Sequence, residues 1–230
     1  MPRLAAALFA LVTAAVALPA AAASLTDPAE MVGMGRLRLD GEADVTLGRN
    51  LRFEDTDARF EVEGRTFALT GGYGLLPDMD GFLTLGAARL RVEEPAGLPG
   101  GAFDGDVGLS FGGGVRYRFV NERLFKVGAR AQLTRRESQD DDVTATWLEY
   151  DLLLGASLHA SRALVPFLAL GASLIDGDLA GPFGRVDFRQ EDVVGAVVGL
   201  RYAATSQVHG TLTGRFFDQT SVGFALSFAF

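Results

Sequence analysis

Imidazole is the side chain best suited to general-base chemistry near neutral pH, and the chain holds two, His159 and His209. No G-x-S-x-G nucleophile elbow occurs, and no serine sits in a turn-to-helix setting beside a base. Cysteine is absent, which removes disulfides, thiolate metal sites and a lipid-modified cysteine together. Hard oxygen donors for Ca²⁺ or Mg²⁺ gather in Glu137-Ser138-Gln139-Asp140-Asp141-Asp142 and in Asp176-Gly177-Asp178. Neither run has the ordered ligand spacing of an EF-hand, and both read as solvated loops. Gly112-Gly113-Gly114 lacks the lysine and helix of a phosphate-binding loop and reads as room for side chains beside a strand. The expectation is a chain with no catalytic residue, no resident metal and no cofactor.

The elements that must position these residues are strands. Met1, Pro2 and Arg3, the apolar stretch Leu4 to Leu18 and the Ala21-Ala22-Ala23 site read as a secretory signal peptide over 1–23. Removing Arg3 with it leaves 20 basic against 29 acidic side chains, a formal charge of −9, which argues against nucleic acid as a partner. The longest later apolar run, Ala163 to Ile175, contains Pro166 and Gly171 and is too short for a membrane helix. From Glu42 onward, segments of roughly ten residues alternate with period two between turn-rich breaks. The spacing predicts strands over 42–53, 64–74, 82–92, 106–119, 124–134, 145–158, 165–175, 192–202, 208–217 and 221–230. Phe60 and Val62 lie out of phase with Phe67, Leu69 and Tyr73, which points to a bulge near Gly64. The segment 24–41 reads as a lead-in or a short extra strand, with Arg36-Leu37-Arg38-Leu39 alternating before Asp40-Gly41.

Period two alone does not say which face is wet. Three features choose a lipid-facing apolar side. Connections alternate between short turns at 75–81, 120–123, 159–164 and 203–207 and mostly longer polar loops at 93–105, 135–144 and 176–191. Aromatics including Tyr73, Phe82, Tyr117, Phe119, Phe125, Phe167 and Tyr202 collect beside the short turns, as in an interfacial girdle. The chain stops in mid-strand with Phe224, Leu226, Phe228 and Phe230 on one face, where a soluble protein would expose an aggregating edge.

That ending resembles the C-terminal recognition signal of bacterial outer-membrane proteins. Residues 42–230 as a whole resemble the small barrels of the outer-membrane-protein-A and opacity-protein group. The resemblance implies insertion into a Gram-negative outer membrane by the assembly machinery, with lipid and lipopolysaccharide as partners. The expected fold is an all-β, antiparallel, up-and-down transmembrane barrel of about ten strands, with eight or twelve as neighbouring even counts. Ten strands also resemble the omptin proteases, but both histidines fall at the periplasmic end, away from the outer loops.

Within this frame Glu42, Asp44, Arg116, Arg118, Lys126, Arg130, Glu149, Asp151, Arg201 and Arg215 face the lumen, where charges must be paired or wet. Two ion-pair layers are expected, one joining Glu42 and Asp44 to Arg116, Arg118, Lys126 and Arg201, the other setting Arg130 opposite Glu149. Arg49, on the apparent outer face, is the candidate for lipopolysaccharide phosphate unless a register slip turns it inward. The expected function is non-enzymatic, structural or surface-interacting, with loops 135–144 and 176–191 as any contact surface for an extracellular ligand. The alternative is a narrow porin-like channel for ions or small solutes.

Overall fold

The computed structural model describes residues 26–54, 58–92, 102–159, 161, 163–182 and 184–230; the expected leader, 1–23, lies outside them. The alternating segments form twelve strands: β1 (Leu37–Phe53), β2 (Arg59–Leu76), β3 (Met79–Val92), β4 (Phe103–Asp104), β5 (Gly108–Asn121), β6 (Phe125–Asp140), β7 (Val143–Leu158), β8 (Leu164–Gly181), β9 (Gly184–Gln190), β10 (Val194–Ala203), β11 (Val208–Phe216) and β12 (Thr220–Ala229). Ten close a ring in the order β1-β2-β3-β5-β6-β7-β8-β10-β11-β12. β12 returns to β1, from Arg38 opposite Ala229 to Thr46 opposite Ser221, so the ring has no open edge. The expected barrel of about ten strands is therefore present, with β4 and β9 as short additions at its outer end.

The outer surface carries the bulky apolar parity. Leu83, Leu152, Leu154, Leu168, Leu170 and Leu212 are exposed, a belt that water would penalise and hydrocarbon accepts. Tyr73, Tyr117, Phe119, Phe125 and Tyr202 stand exposed near its periplasmic margin, with Tyr117 and Phe119 edge to face at 5.0 Å. Phe224, Leu226, Phe228 and Phe230 share this outer face. Phe82 and Phe167 depart from the girdle reading: both are buried inside the ring, because their strands present Leu83 and Leu168 to the outside.

Crossing a membrane takes about 9–11 strand residues, yet β1, β2 and β8 have 17 or 18 and β6 and β7 have 16. The surplus projects beyond the outer end of the belt, where β6 turns Arg135, Glu137 and Gln139 outward. The expected loops 135–144 and 176–191 are thus mostly strand. β6 and β7 run to Asp140 opposite Val143 and turn through Asp141, at φ 46°, and Asp142. β8 and β9 form a second hairpin. β9 also pairs with β1, from Leu51 opposite Gln190 to Phe53 opposite Phe188, and so closes the wall above the shorter β10–β12.

Inside this projection the lumen is apolar rather than polar. Leu51, Phe53, Phe60, Val62, Trp147, Leu179 and Phe188 are among the residues of one buried cluster, with Phe53 stacked on Phe60 at 4.3 Å. The phase change read at Gly64 has its source in the neighbouring strand. β2 keeps one parity throughout, whereas β1 is irregular between Thr46 and Arg49, level with Gly64 and Val62. Beyond that point β1 turns its odd residues inward, so Leu51 and Phe53 meet Phe60. Leu37–Gly41, assigned from sequence to the lead-in, are the periplasmic start of β1.

Candidate functional site

The lumen is where the sequence concentrates its charge. Seven arginines and eight carboxylates are buried among the described residues, a nearly neutral set that exerts little net field on a passing ion. Two groups of contacts organise them, the periplasmic one built around a plug that the sequence does not announce.

The plug is the lead-in. Residues 26–36 fold up into the periplasmic half of the barrel, with Thr26, Asp27 and Ala29 buried. Gly35 N donates to Gly74 O (2.9 Å) and Val32 N to Asp80 Oδ2 (2.7 Å). The far wall makes room with Gly128 and Gly155, which face each other across β6 and β7. A Cβ on Gly128 would lie 2.8 Å from Ala29 Cα, and one on Gly155 would lie 2.6 Å from Pro28 Cγ. Glu30 is the anionic centre. It pairs with Arg201 and with Arg38 (3.4 Å), and His209 Nδ1 stands 3.9 Å away. Burial raises the Glu30 carboxyl, but Arg201 and Arg38 outweigh it and hold the group below its ordinary range. Arg38 also grips Asp40 (3.0 Å), and Arg116 bonds Thr26 (3.1 Å) over the Phe82 ring.

The outer group centres on Glu149, held between Arg49 (2.6 Å) and Arg136. Arg49 donates as well to Ser173 (2.5 Å) and Gln190 (2.6 Å). Arg215 spans Asp151 (2.9 Å) and Asp218. The spaces left between these side chains are water-sized, about 40 Å³ beside Asp44, Arg49 and Trp147 and about 20 Å³ beside Arg130 and Phe167.

With the geometry in place, known structures can be set beside it. The translocator domain of autotransporter NalP from Neisseria meningitidis has a TM-score of 0.50 at 10% identity, covering 90% of this chain and 91% of that one. An outer membrane channel from Pseudomonas putida F1 gives 0.49 at 12%, over 91% and 100%. The outer membrane protease OmpT from Escherichia coli gives 0.45 at 11%, over 85% and 97%. The fold is that of the outer-membrane β-barrels. No family model matches the chain, and no curated protein does; translocation, conduction or proteolysis in those proteins carries no argument for this barrel, since function resides in sites rather than folds.

Of the charges expected to face inward, Glu42, Asp44, Arg116, Arg130, Glu149, Asp151, Arg201 and Arg215 are buried, Arg118 and Lys126 are part-buried, and the pairing differs. Arg130 faces Leu153 and Glu149 faces Thr134, because the β6–β7 hairpin is longer than the loop reading assumed and the register moves with it. Arg130 instead stands in electrostatic reach of Asp151 and Glu42, and Asp44 belongs with Arg136 and Arg215 rather than with Arg116. Arg118 pairs outside the layer with Asp78 (2.5 Å) in the β2–β3 turn, and Lys126 lies half-buried at the same mouth. Arg49 points inward, because the β1 irregularity reverses its parity. The sequence reading missed Glu30, Arg38, Asp40 and Arg136. Arg38, Asp40, Glu42 and Asp44 share one parity, as do Arg130, Gln132, Thr134 and Arg136, so running both strands longer would have found all but Glu30. His159 sits 3.3 Å from Ser157 and His209 beside Glu30, both at the periplasmic mouth. In the outer hairpins Asp140 accepts from Asp104 N (2.8 Å) and Asp178 pairs with Arg185 (2.9 Å).

Proposed function

We propose that this chain is a non-enzymatic, non-conducting barrel of the bacterial outer membrane, whose rigid outer projection serves as a structural or surface-interaction element. The observation that carries this reading is the filled lumen: the plug, the paired charges and the apolar outer cluster occupy successive levels of the bore. A channel whose charges select ions needs a wet path, and the two spaces described between the lumenal side chains are water-sized. The hairpins β6–β7 and β8–β9, continuous with the barrel wall, offer a stiff platform for an extracellular ligand at their tips. The non-enzymatic part is supported by the engagement of Glu30, Asp40, Glu149, Asp151 and Asp218 with arginines and by the location of both histidines away from the outer rim. Reconstitution in planar bilayers tests the reading: the full barrel gives no conductance steps, and stable unitary steps altered by Glu149→Gln would replace it with the porin-like channel. Loss of cell or matrix adhesion on trimming the two outer hairpins would identify the surface role directly.

A further inference from the structure

On β2 the outward residues read Leu69, Phe67 and then Arg65 toward the outer end; on β3 they read Leu85, Ala87 and then Arg89. Each arginine is the first charged outward residue beyond the apolar belt on its strand. The register sets Arg65 directly opposite Arg89, a like-charge cross-strand pair whose Cβ atoms stand about 5 Å apart and which repels unless an anion lies between. On its other side Arg65 faces Val45, so β1 supplies no acid at that level. Arg89 is partly satisfied by Asp104 (2.8 Å) and Gly105 O (2.8 Å), and Arg91 stands 3.9 Å from Glu63. Arg65 has no hydrogen-bond or ion-pair partner among the described residues. These side chains line a surface recess of about 270 Å³, to which the described residues contribute three guanidiniums and two carboxylates, an excess of one positive charge among them. Arg135, following outward Leu133 on β6, is similarly placed and exposed.

We propose that Arg65 and Arg89 form a phosphate site for an acylated anionic glycolipid of the outer leaflet, the phosphate lying between the guanidiniums and the acyl chains running down Phe67, Leu69 and Leu85. Guanidinium forks match phosphate oxygens bidentately. The belt directly beneath supplies what a free phosphate cannot use, an apolar surface continuous with the charge site. The inference rests on the outer-membrane reading, and its test separates the two. Folding into phosphatidylcholine vesicles, followed by the heat-dependent gel shift, checks membrane insertion alone. The folded barrel in detergent is then titrated with rough lipopolysaccharide, with the same lipid after phosphatase treatment, and with inorganic phosphate, following the shift in thermal unfolding. Wild type is stabilised by the phosphorylated lipid. Arg65→Gln weakens that binding, and Arg65→Gln with Arg89→Gln weakens it by about tenfold or more, the scale of losing charge-assisted hydrogen bonds. Arg185→Gln with Arg189→Gln, exposed on β9, leaves it unchanged. A barrel that inserts normally but binds equally well in wild type and double variant overturns the site. Equal affinity for inorganic phosphate overturns the lipid as its ligand.

Discussion

Glu149 in the outer layer answers two guanidiniums at once, Arg49 and Arg136. Removing one member of a buried ion-pair set leaves uncompensated charge and costs about 3–5 kcal/mol. Urea unfolding of Glu149→Ala in lipid vesicles is expected to show a loss on that scale, with Glu149→Gln milder because its amide oxygen still accepts from Arg49. His159 gives a residue-scale test by pH. Burial, with Lys126 and Arg201 nearby, brings its imidazole from 6.5 down to about 4. Between these values the unfolded chain binds more protons than the folded one, so stability falls as pH falls through that window. His159→Gln should flatten the fall in thermal unfolding between pH 6.5 and 4, and an unchanged slope would place the titration elsewhere.

Strands and segments divide the lumen between them. The lead-in occupies its half because β6 and β7 present Gly128 and Gly155 where any side chain would meet Ala29 and Pro28. A single cysteine at Ala29 in this cysteine-free chain should react slowly with a polar maleimide in the native barrel and quickly once Gly155→Val crowds Pro28 out. Equal rates would mean the segment already leaves freely. At the other end, the β1 irregularity turns Leu51 and Phe53 onto Phe60, and Trp147 enters the same cluster. Trp147→Ala should cost about 3–5 kcal/mol, as for other buried aromatics, and should admit protease to the outer hairpins before the membrane-embedded ring opens.

Across the whole molecule, two features fill the bore. The plug and the apolar outer cluster lie at opposite ends of the charged layers, joined by a wall in which β9 replaces β10–β12 as the partner of β1. On the proposed closed-barrel reading each obstruction blocks the bore alone, so deleting 24–36 should leave the barrel non-conducting in planar bilayers. Unitary current from that deletion would show that the outer cluster is no seal and would favour the channel reading.

How much of this the sequence contained follows from which interactions are local. Alternation of bulky and small or charged residues is written along each strand, so the all-β ring, its lipid-facing side and the inward direction of Arg116, Arg130, Glu149 and Asp151 were legible in the order of residues alone. Partners were not, because a cross-strand pair depends on register, and register depends on hairpin length: the extended β6–β7 hairpin moved Glu149 from Arg130 to Arg136. One irregularity in β1 reversed Arg49 and built the apolar outer cluster, an effect invisible in β1 itself and seen only as a phase change in β2. The lead-in carries no periodicity, and its place was decided by the glycine-lined space and unbalanced arginines that a closed barrel presents only after its strands have met.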